Sequence, residues 1–251
     1  MQRQLEQPTI GISSATGTIH AATGLRVNLI WNNSALIAPS AFRDAVTSAA
    51  RQLEQSFSDK MVVNIRVGWG EVGGTAISGS NTAAGGAVGG LWASYDQIKS
   101  LLAGNASGTT DQAVLNALSA NQDPNGNGQI GLWRAQAKAL GVVAADDTGL
   151  DGSIGFSTDF SGNMQGAALQ MLTRAMGRMS GGVPSGIEDL LRYGAPGVHR
   201  YTAGQAAYFS VDGGVTRLAN FSASGDPSAW ANDGLTANDP FDASELKRML
   251  K

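Results

Sequence analysis

The chain has no cysteine among its 251 residues, and it has only two histidines. The lack of cysteine excludes disulfides, thiolate metal sites and cysteine nucleophiles. Charged residues make up only 15%, and the net charge of -3 is not the positive excess that phosphate binding requires. No apolar run approaches the ~18 residues of a membrane-spanning helix. The sequence therefore predicts a protein with neither a transmembrane segment nor a nucleic-acid interface.

Glycine and small polar residues stand where other proteins have more charged residues. The chain holds 34 glycines, and its 42% hydrophobic content is enough to build a core in one large domain. This composition is typical of exported bacterial proteins and of flat surfaces that pack against one another. Residues 1–23 read as a polar arm, and residues 24–251 as the domain. Residues 1–8 lack the apolar core of a signal peptide, so export would use a removed signal or another route.

Hydrophobic periodicity predicts a βαβ unit at the start of the domain. Residues 25–31 and 61–69 alternate as strands, and a helix with one apolar face begins at Pro39 and Ser40. This order predicts parallel strands joined by a crossover helix. Residues 70–90 read as a loop or a flat edge hairpin. Further helices are predicted over 94–102, 110–120, 134–140, 166–178, 187–193 and 242–251, with strands over 130–133, 153–156, 206–212 and 216–219.

The helix predicted over 166–178 carries the most informative pattern in the chain. Its apolar residues follow helical spacing and form one stripe. Gln170 and Arg174 are four residues apart, so they lie one turn from each other on the other face. One interpretation of this polar face is an ordinary solvated helix side.

Seven blocks occur in a specific order and spacing: GLRVNLIW at 24–31, VVNIRVGWGEVGG at 62–74, KALG at 138–141, LDGSIGF at 150–156, MGR at 176–178, DLLRYGAPG at 189–197 and YFSVDGG at 208–214. Together they resemble a family of exported bacterial zincin-like metalloproteases. The resemblance covers most of the chain from Gly24 onward. It implies an α+β fold with a twisted mixed sheet and packed helices in a single domain, located outside the cell or on its surface.

The resemblance also places the family's zinc site in this chain. In the family, a His-Glu pair and a further His or acidic residue one turn later precede the MGR block. Those positions are Gln170, Met171 and Arg174 here. A catalytic zinc site without cysteine takes its three protein ligands from histidine and carboxylate. An amide, a thioether and a guanidinium do not supply them, and a thioether cannot act as a general base.

The two histidines of the chain do not supply the missing zinc ligands. His20 lies in the polar arm and His199 in a Gly/Pro-rich loop, and neither has a helical partner four residues away. We therefore expect a catalytically inactive, metalloprotease-like extracellular protein that has no catalytic residues and binds no zinc. Its role would be structural, binding or self-assembly, as a homo-oligomer or with a cell-surface partner. Gly-rich edges that can pair with other strands support the assembly hypothesis.

Two alternatives come from other residues. An active secreted metallo-hydrolase or peptidase would use a non-standard set such as Glu71, Asp151 or Asp189. The Glu188–Asp189 pair otherwise reads as a cap and a solvated turn, with Asp189 in a structural ion pair. No G-x-S-x-G motif supports a serine nucleophile.

A calcium loop is the second alternative. Asp123, Asn125 and Asn127 supply oxygens at positions one, three and five, and Gln129 follows at position seven. Position twelve is Arg134, where the loop needs a bidentate glutamate. An Asn/Gly turn that leads into a strand explains the same residues. Calcium binding would make the chain a calcium-stabilised adhesin or lectin-like module.

Overall fold

The structure is a computed structural model that describes residues 24–119, 129–179, 186–200, 204–223 and 228–231. Its helices are α1 (Asn33–Leu36), α2 (Ser40–Ser56), α3 (Tyr95–Asn105), α4 (Thr109–Ser119), α5 (Arg134–Ala139), α6 (Met164–Ala175) and a 3₁₀ helix (Ile187–Leu191). Its strands are β1 (Arg26–Trp31), β2 (Val62–Trp69), β3 (Glu71–Val72), β4 (Thr75–Ala76), β5 (Ala83–Ala87), β6 (Gly90–Ser94), β7 (Gln129–Trp133), β8 (Gly152–Phe156), β9 (Arg192–Ala195), β10 (Val198–His199), β11 (Tyr208–Phe209) and β12 (Ala219–Asn220). The predicted α+β class is confirmed.

The main sheet has the strand order β1-β2-β8-β5. The first three strands are parallel, with Val27 opposite Val63 and Ile65 opposite Gly152, whereas β5 runs antiparallel to β8 at the edge. Helix α2 connects β1 to β2, so the predicted βαβ unit is confirmed. Residues 70–90 form the hairpin β3–β4 and the edge strand β5, which resolves the sequence prediction of a loop or hairpin.

Helices α2 and α6 cover one face of this sheet and enclose the larger hydrophobic core. Phe42 of α2 packs edge-on against Phe156 of β8, with ring centroids 5.3 Å apart. At Gly152, an added Cβ would collide with the backbone and side chain of Ala175 on α6. The close approach of α6 to the sheet therefore depends on a glycine in β8.

The opposite face of the sheet is covered by the hairpin β3–β4. The backbone of Glu71 passes so close to Gly155 and Gly68 that a Cβ at either position would meet its carbonyl. Gly70 takes a positive φ of 74° where the chain leaves β2. These glycines let the chain reverse tightly across the end of the sheet.

A second core lies between α3, α4 and the β6–β7 hairpin. Helix α3 begins at the predicted place, because Ser94 and Gln97 form a reciprocal capping box. The buried Tyr95 hydroxyl donates to the carbonyl of Leu118, at 2.5 Å, and so links α3 to α4. Gly141 follows α5 with a φ of 71°, as its predicted role in ending that helix requires.

The second four-stranded sheet, in the order β10-β9-β11-β12, differs from the prediction for this region. The helical turn predicted over 187–193 ends at Leu191, and Arg192 begins β9. The strand predicted over 206–212 is limited to Tyr208–Phe209, because a hydrogen-bonded turn at Ser210 and Asp212 follows it. The arm 1–23 and the predicted helix 242–251 lie outside the described residues. Within the described ranges, no helix has the length and apolar character to cross a membrane.

Candidate functional site

The positions that the resemblance assigns to zinc lie on α6, whose N-terminus is capped by Asn163. Met171 is buried against the larger core, and Gln170 and Arg174 are half-buried. Arg174 Nε donates to the carbonyl of Gly85 on the edge strand at 3.3 Å, and its Nη1 donates to Ser228 Oγ at 3.2 Å. Arg174 is therefore held by hydrogen bonds, whereas an ordinary solvated helix side would leave it extended into water.

These three side chains do not fit a zinc ion. Arg174 carries a positive charge and has no lone pair to donate to a metal. Burial lowers the pKa of Arg174, and the nearby Glu188 opposes this shift. The residues described here include no group of three His, Asp or Glu side chains arranged to hold a metal ion. The mismatch is one of donor chemistry, since the backbone of the helix is intact.

A second arginine lies at the end of the same helix. Arg178 is 6% exposed, and its Nε donates to Thr173 Oγ1 at 3.0 Å. Its two terminal nitrogens donate to the carbonyls of Gln170 and Ser228. Burial lowers the pKa of Arg178 to about 10, although nearby Glu188 opposes the shift. The guanidinium thus ties the C-terminal end of α6 to the segment at Ser228.

Glu188 lies near these arginines and is 5% exposed. Neither of its carboxyl oxygens has a hydrogen-bond partner among the residues that the structure describes. Burial raises the pKa of Glu188 to about 8, with a further increase from Asp189, while Arg178, Arg192 and Arg174 oppose the shift. At pH 7 the group is therefore mostly a neutral carboxylic acid.

The sequence interpretation of the Glu188–Asp189 pair is half correct. Asp189 does cap the 3₁₀ helix, because its Oδ2 accepts from the amide of Gly186 at 3.2 Å. Glu188, however, is neither a cap nor part of a solvated turn. The one signal in the sequence is that Glu188 and Asp189 stand between apolar residues, with Ile187 before them and Leu190 and Leu191 after them.

Glu188 contributes to the wall of a cavity of about 680 Å³. The cavity extends from α6 and the 3₁₀ helix to the C-terminal end of α3 and the N-terminal half of α4. Its lining includes members of both hydrophobic cores, such as Met61 from the larger one and Leu118 from the smaller one. Sequence reasoning did not find this cavity, since its walls come from segments far apart along the chain.

No protein-family model, curated protein or solved structure matches this chain. The family resemblance from sequence therefore stays a prediction.

The acids of the alternative hydrolase each have a structural partner. Glu71 accepts hydrogen bonds from Asn32 Nδ2 (2.6 Å), Ser34 Oγ (2.7 Å) and the amide of Gly74 (2.6 Å). Partial burial alone would raise the pKa of Glu71, but these hydrogen bonds and Arg66 together lower it. Glu71 thus joins the β1–α2 connection to the β3–β4 hairpin.

Asp151 lies at the other end of the sheet and forms a buried ion pair. Its Oδ2 is 2.6 Å from Lys138 Nζ, and both side chains are 0% exposed. The same oxygen accepts from the amide of Asn64 at 2.7 Å. Glu71 lies against Gly68, and Asp151 is bonded to Asn64, four residues back along β2, so the two carboxyl groups are roughly 13 Å apart. The structure therefore does not bring Glu71 and Asp151 together.

The remaining candidates are placed as follows. His199 is half-buried and packs against Tyr193, with ring centroids 4.3 Å apart, and burial lowers its pKa. His20, Asp123, Asn125 and Asn127 lie outside the described residues. Gln129 is exposed at the start of β7. Arg134, at the position where the calcium loop needs a glutamate, pairs with Asp147.

Proposed function

We propose that this chain is a non-catalytic, zincin-like protein that acts outside the cell by binding. The topology supports this proposal, because an antiparallel edge strand lies beside parallel strands and α6 packs behind them. The observation that carries it is Arg174, whose guanidinium bonds the edge-strand carbonyl of Gly85 from the position where the family has a metal ligand. A cation fixed at this place disfavours a divalent ion by charge repulsion.

Restoring the ligands on α6 tests the proposed scaffold. We expect the wild-type chain to retain no stoichiometric zinc, and Gln170→His/Arg174→His to bind zinc, because its two imidazoles lie one turn apart on the helix. The matched control is Gln112→His/Asn116→His, which places the same spacing on the exposed face of α4. Titration with zinc, read by calorimetry, should give at least tenfold tighter binding for the α6 pair.

The outcomes separate the candidate functions. Equal zinc affinity of the two variants would mean that a histidine pair on α6 binds zinc no better than one on an exposed helix. The zincin-like scaffold would then be rejected. Stoichiometric zinc in the wild-type chain, with cleavage of casein that a chelator stops, would establish the alternative hydrolase.

The edge strand β5 supports a binding role through strand addition. At the end of its ladder, the amide of Val88 donates to the carbonyl of Asp151 at 2.8 Å. Because bonded and non-bonded positions alternate in an antiparallel ladder, the backbones of Ala83, Gly85 and Ala87 turn away from β8. Arg174 already bonds the carbonyl of Gly85, so a strand of another chain would pair with the outward groups of Ala83 and Ala87. We propose that the partner strand is the arm 1–23 of a second copy.

Light scattering coupled to size exclusion tests this assembly. We expect the full chain to form dimers or larger oligomers and the chain without residues 1–23 to be monomeric, because the arm supplies the added strand. A monomer in both cases would reject self-assembly. Oligomers of equal size in both cases would reject the arm as the connecting element.

A further inference from the structure

The cavity between the two hydrophobic cores has apolar walls that are partly open to solvent. Its volume is about 680 Å³, and α4, α5 and the 3₁₀ helix contribute to its walls. Six of its large apolar side chains are only half-buried: Leu102, Val114, Leu115, Leu140, Ile187 and Leu191. Covering such surface is favourable by about 25 cal/mol for each Å² of apolar area removed from water. The walls therefore favour an occupant with an apolar face.

The same walls carry two carboxyl groups without a cationic partner. Asp59 and Asp111 line the cavity, and neither forms a salt bridge with any residue that the structure describes. The Asp111 carboxylate accepts from the amides of Ser107 and Gly108, at 2.8 and 2.9 Å. The guanidinium of Arg178, which also lines the cavity, is already hydrogen-bonded to α6. An occupant with basic groups beside its apolar face would complement these carboxylates.

Residues 228–231, the last that the structure describes, lie beside this cavity. The carbonyl of Ser228 accepts a hydrogen bond from the lining residue Arg178. Trp230 packs on Phe209, with ring centroids 5.9 Å apart, and Phe209 is two residues before the lining residue Val211. A segment that follows residue 231 therefore starts close to the cavity.

The predicted helix 242–251 has the two features that the cavity favours. Asp242 and Glu245 have the spacing of a capping box at its start. Its apolar residues fall on one stripe at helical spacing: Ala243, Leu246, Met249 and Leu250. Its basic residues lie on the remaining surface: Lys247, Arg248 and Lys251. Residues 232–241 span up to about 33 Å when extended, so the connection is long enough to bring this helix to the cavity.

We propose that the segment 242–251 docks on the cavity of its own chain as an amphipathic helix. Its apolar stripe covers the half-buried side chains of the walls, and its basic residues lie near Asp59 and Asp111. The short connection holds the helix at a local concentration in the millimolar range, so that modest contacts are sufficient for docking. Neither the zinc positions of α6 nor the edge strand β5 takes part, so this proposal and the proposed function can fail independently.

Single cysteines test the docking in the full-length chain, which has no cysteine of its own. Leu250→Cys places a thiol on the apolar stripe, and Ser244→Cys is the matched control on the opposite side of the same helix. We expect iodoacetamide to modify Leu250→Cys at least about tenfold more slowly than Ser244→Cys, because a docked position reacts only when the helix opens. Each rate is divided by the rate of the same variant in urea, which removes differences in intrinsic reactivity.

Substitutions in the cavity wall locate the docked helix. Ala139 of α5 is half-buried and lines the cavity, whereas Ala144 is exposed and is not among the lining residues. Adding Ala139→Phe to the Leu250→Cys chain should fill the cavity and raise the reaction rate to that of Ser244→Cys. Adding Ala144→Phe should leave the rate of Leu250→Cys unchanged.

Charge reversal gives a second, independent variant. Asp59→Lys should also raise the rate of Leu250→Cys, because it repels the basic residues of the helix. Asp146→Lys is the control, since Asp146 is exposed and is not among the lining residues. If Ala139→Phe does not fold, Asp59→Lys decides.

Three results would overturn the proposal. Equal rates for Leu250→Cys and Ser244→Cys would mean that the stripe is not covered. Protection that survives Ala139→Phe or Asp59→Lys in a folded chain would place the helix away from the cavity. Protection that increases with protein concentration would mean that the helix docks on a second copy instead of its own chain.

Discussion

Lys138→Met should lower the free energy of unfolding by about 3–5 kcal/mol, the usual cost of removing one partner from a buried ion pair. Lys138 Nζ donates to Asp151 Oδ2 at 2.6 Å and to the carbonyls of Val62 (2.8 Å) and Asp147 (2.9 Å). All three donors of the ammonium group are thus used. The variant would leave the Asp151 carboxylate buried with one fewer cationic partner and two carbonyls without their donor.

Chemical denaturation at pH 7 measures this effect, and Lys99→Met is the matched control. Lys99 pairs with the exposed Asp96 within α3, and surface pairs of this kind contribute about 0–1 kcal/mol. The double variant Lys138→Met/Asp151→Leu should recover part of the loss, since it removes the uncompensated charge, although the amide of Asn64 then loses its acceptor. A Lys138→Met variant no less stable than Lys99→Met would contradict the buried pair.

Glu188→Gln should remove a pH dependence of stability between about pH 5 and pH 8. The pKa of Glu188 is raised by burial to about 8 in the folded chain, above its usual value near 4.5. Between these values the folded state holds a proton that the unfolded state has released. The stabilising contribution is complete below pH 4.5, and it falls by up to about 1.4 kcal/mol per pH unit until it is lost above pH 8.

Unfolding midpoints across this pH range measure the difference between the two chains. The variant should match the wild type near pH 5 and exceed its stability near pH 8, because glutamine avoids burying a charge. Glu54→Gln is the control, since Glu54 accepts a hydrogen bond from the amide of Val27 and is not fully buried. A stability difference between Glu188→Gln and the wild type that stays constant with pH would mean that Glu188 does not titrate as its burial requires.

The periodic segments of the fold could be predicted because their signals are local. The alternation in β1 and β2 and the apolar face of α2 follow from side-chain direction within a strand or a helix. The short strands of the second sheet could not be placed correctly. Arg192 and Tyr208 pair with neighbours chosen by tertiary contacts, and two-residue strands carry too little pattern to detect.

The candidate site likewise has features that the local sequence predicts and features that depend on tertiary contacts. Gln170, Met171 and Arg174 stand out in the sequence because their spacing on one helix is fixed. The hydrogen bond from Arg174 to Gly85 joins residues about 90 positions apart. The burial of Glu188 depends on several segments that meet at the cavity. Asp151 was a candidate catalytic acid in the sequence, but Lys138 holds it as one half of a buried ion pair.

By itself the sequence determined that cysteine chemistry is excluded, that a parallel βαβ unit begins the domain, and that Gln170, Met171 and Arg174 supply no histidine or carboxylate on α6. These features depend on residue identity and on periodicity within one segment. Only the tertiary structure decided that Glu188 is buried beside a cavity, with no hydrogen-bond partner for its carboxyl among the described residues, and that Lys138 neutralises Asp151. Burial and pairing of charges depend on which distant segments meet, and local pattern does not encode that.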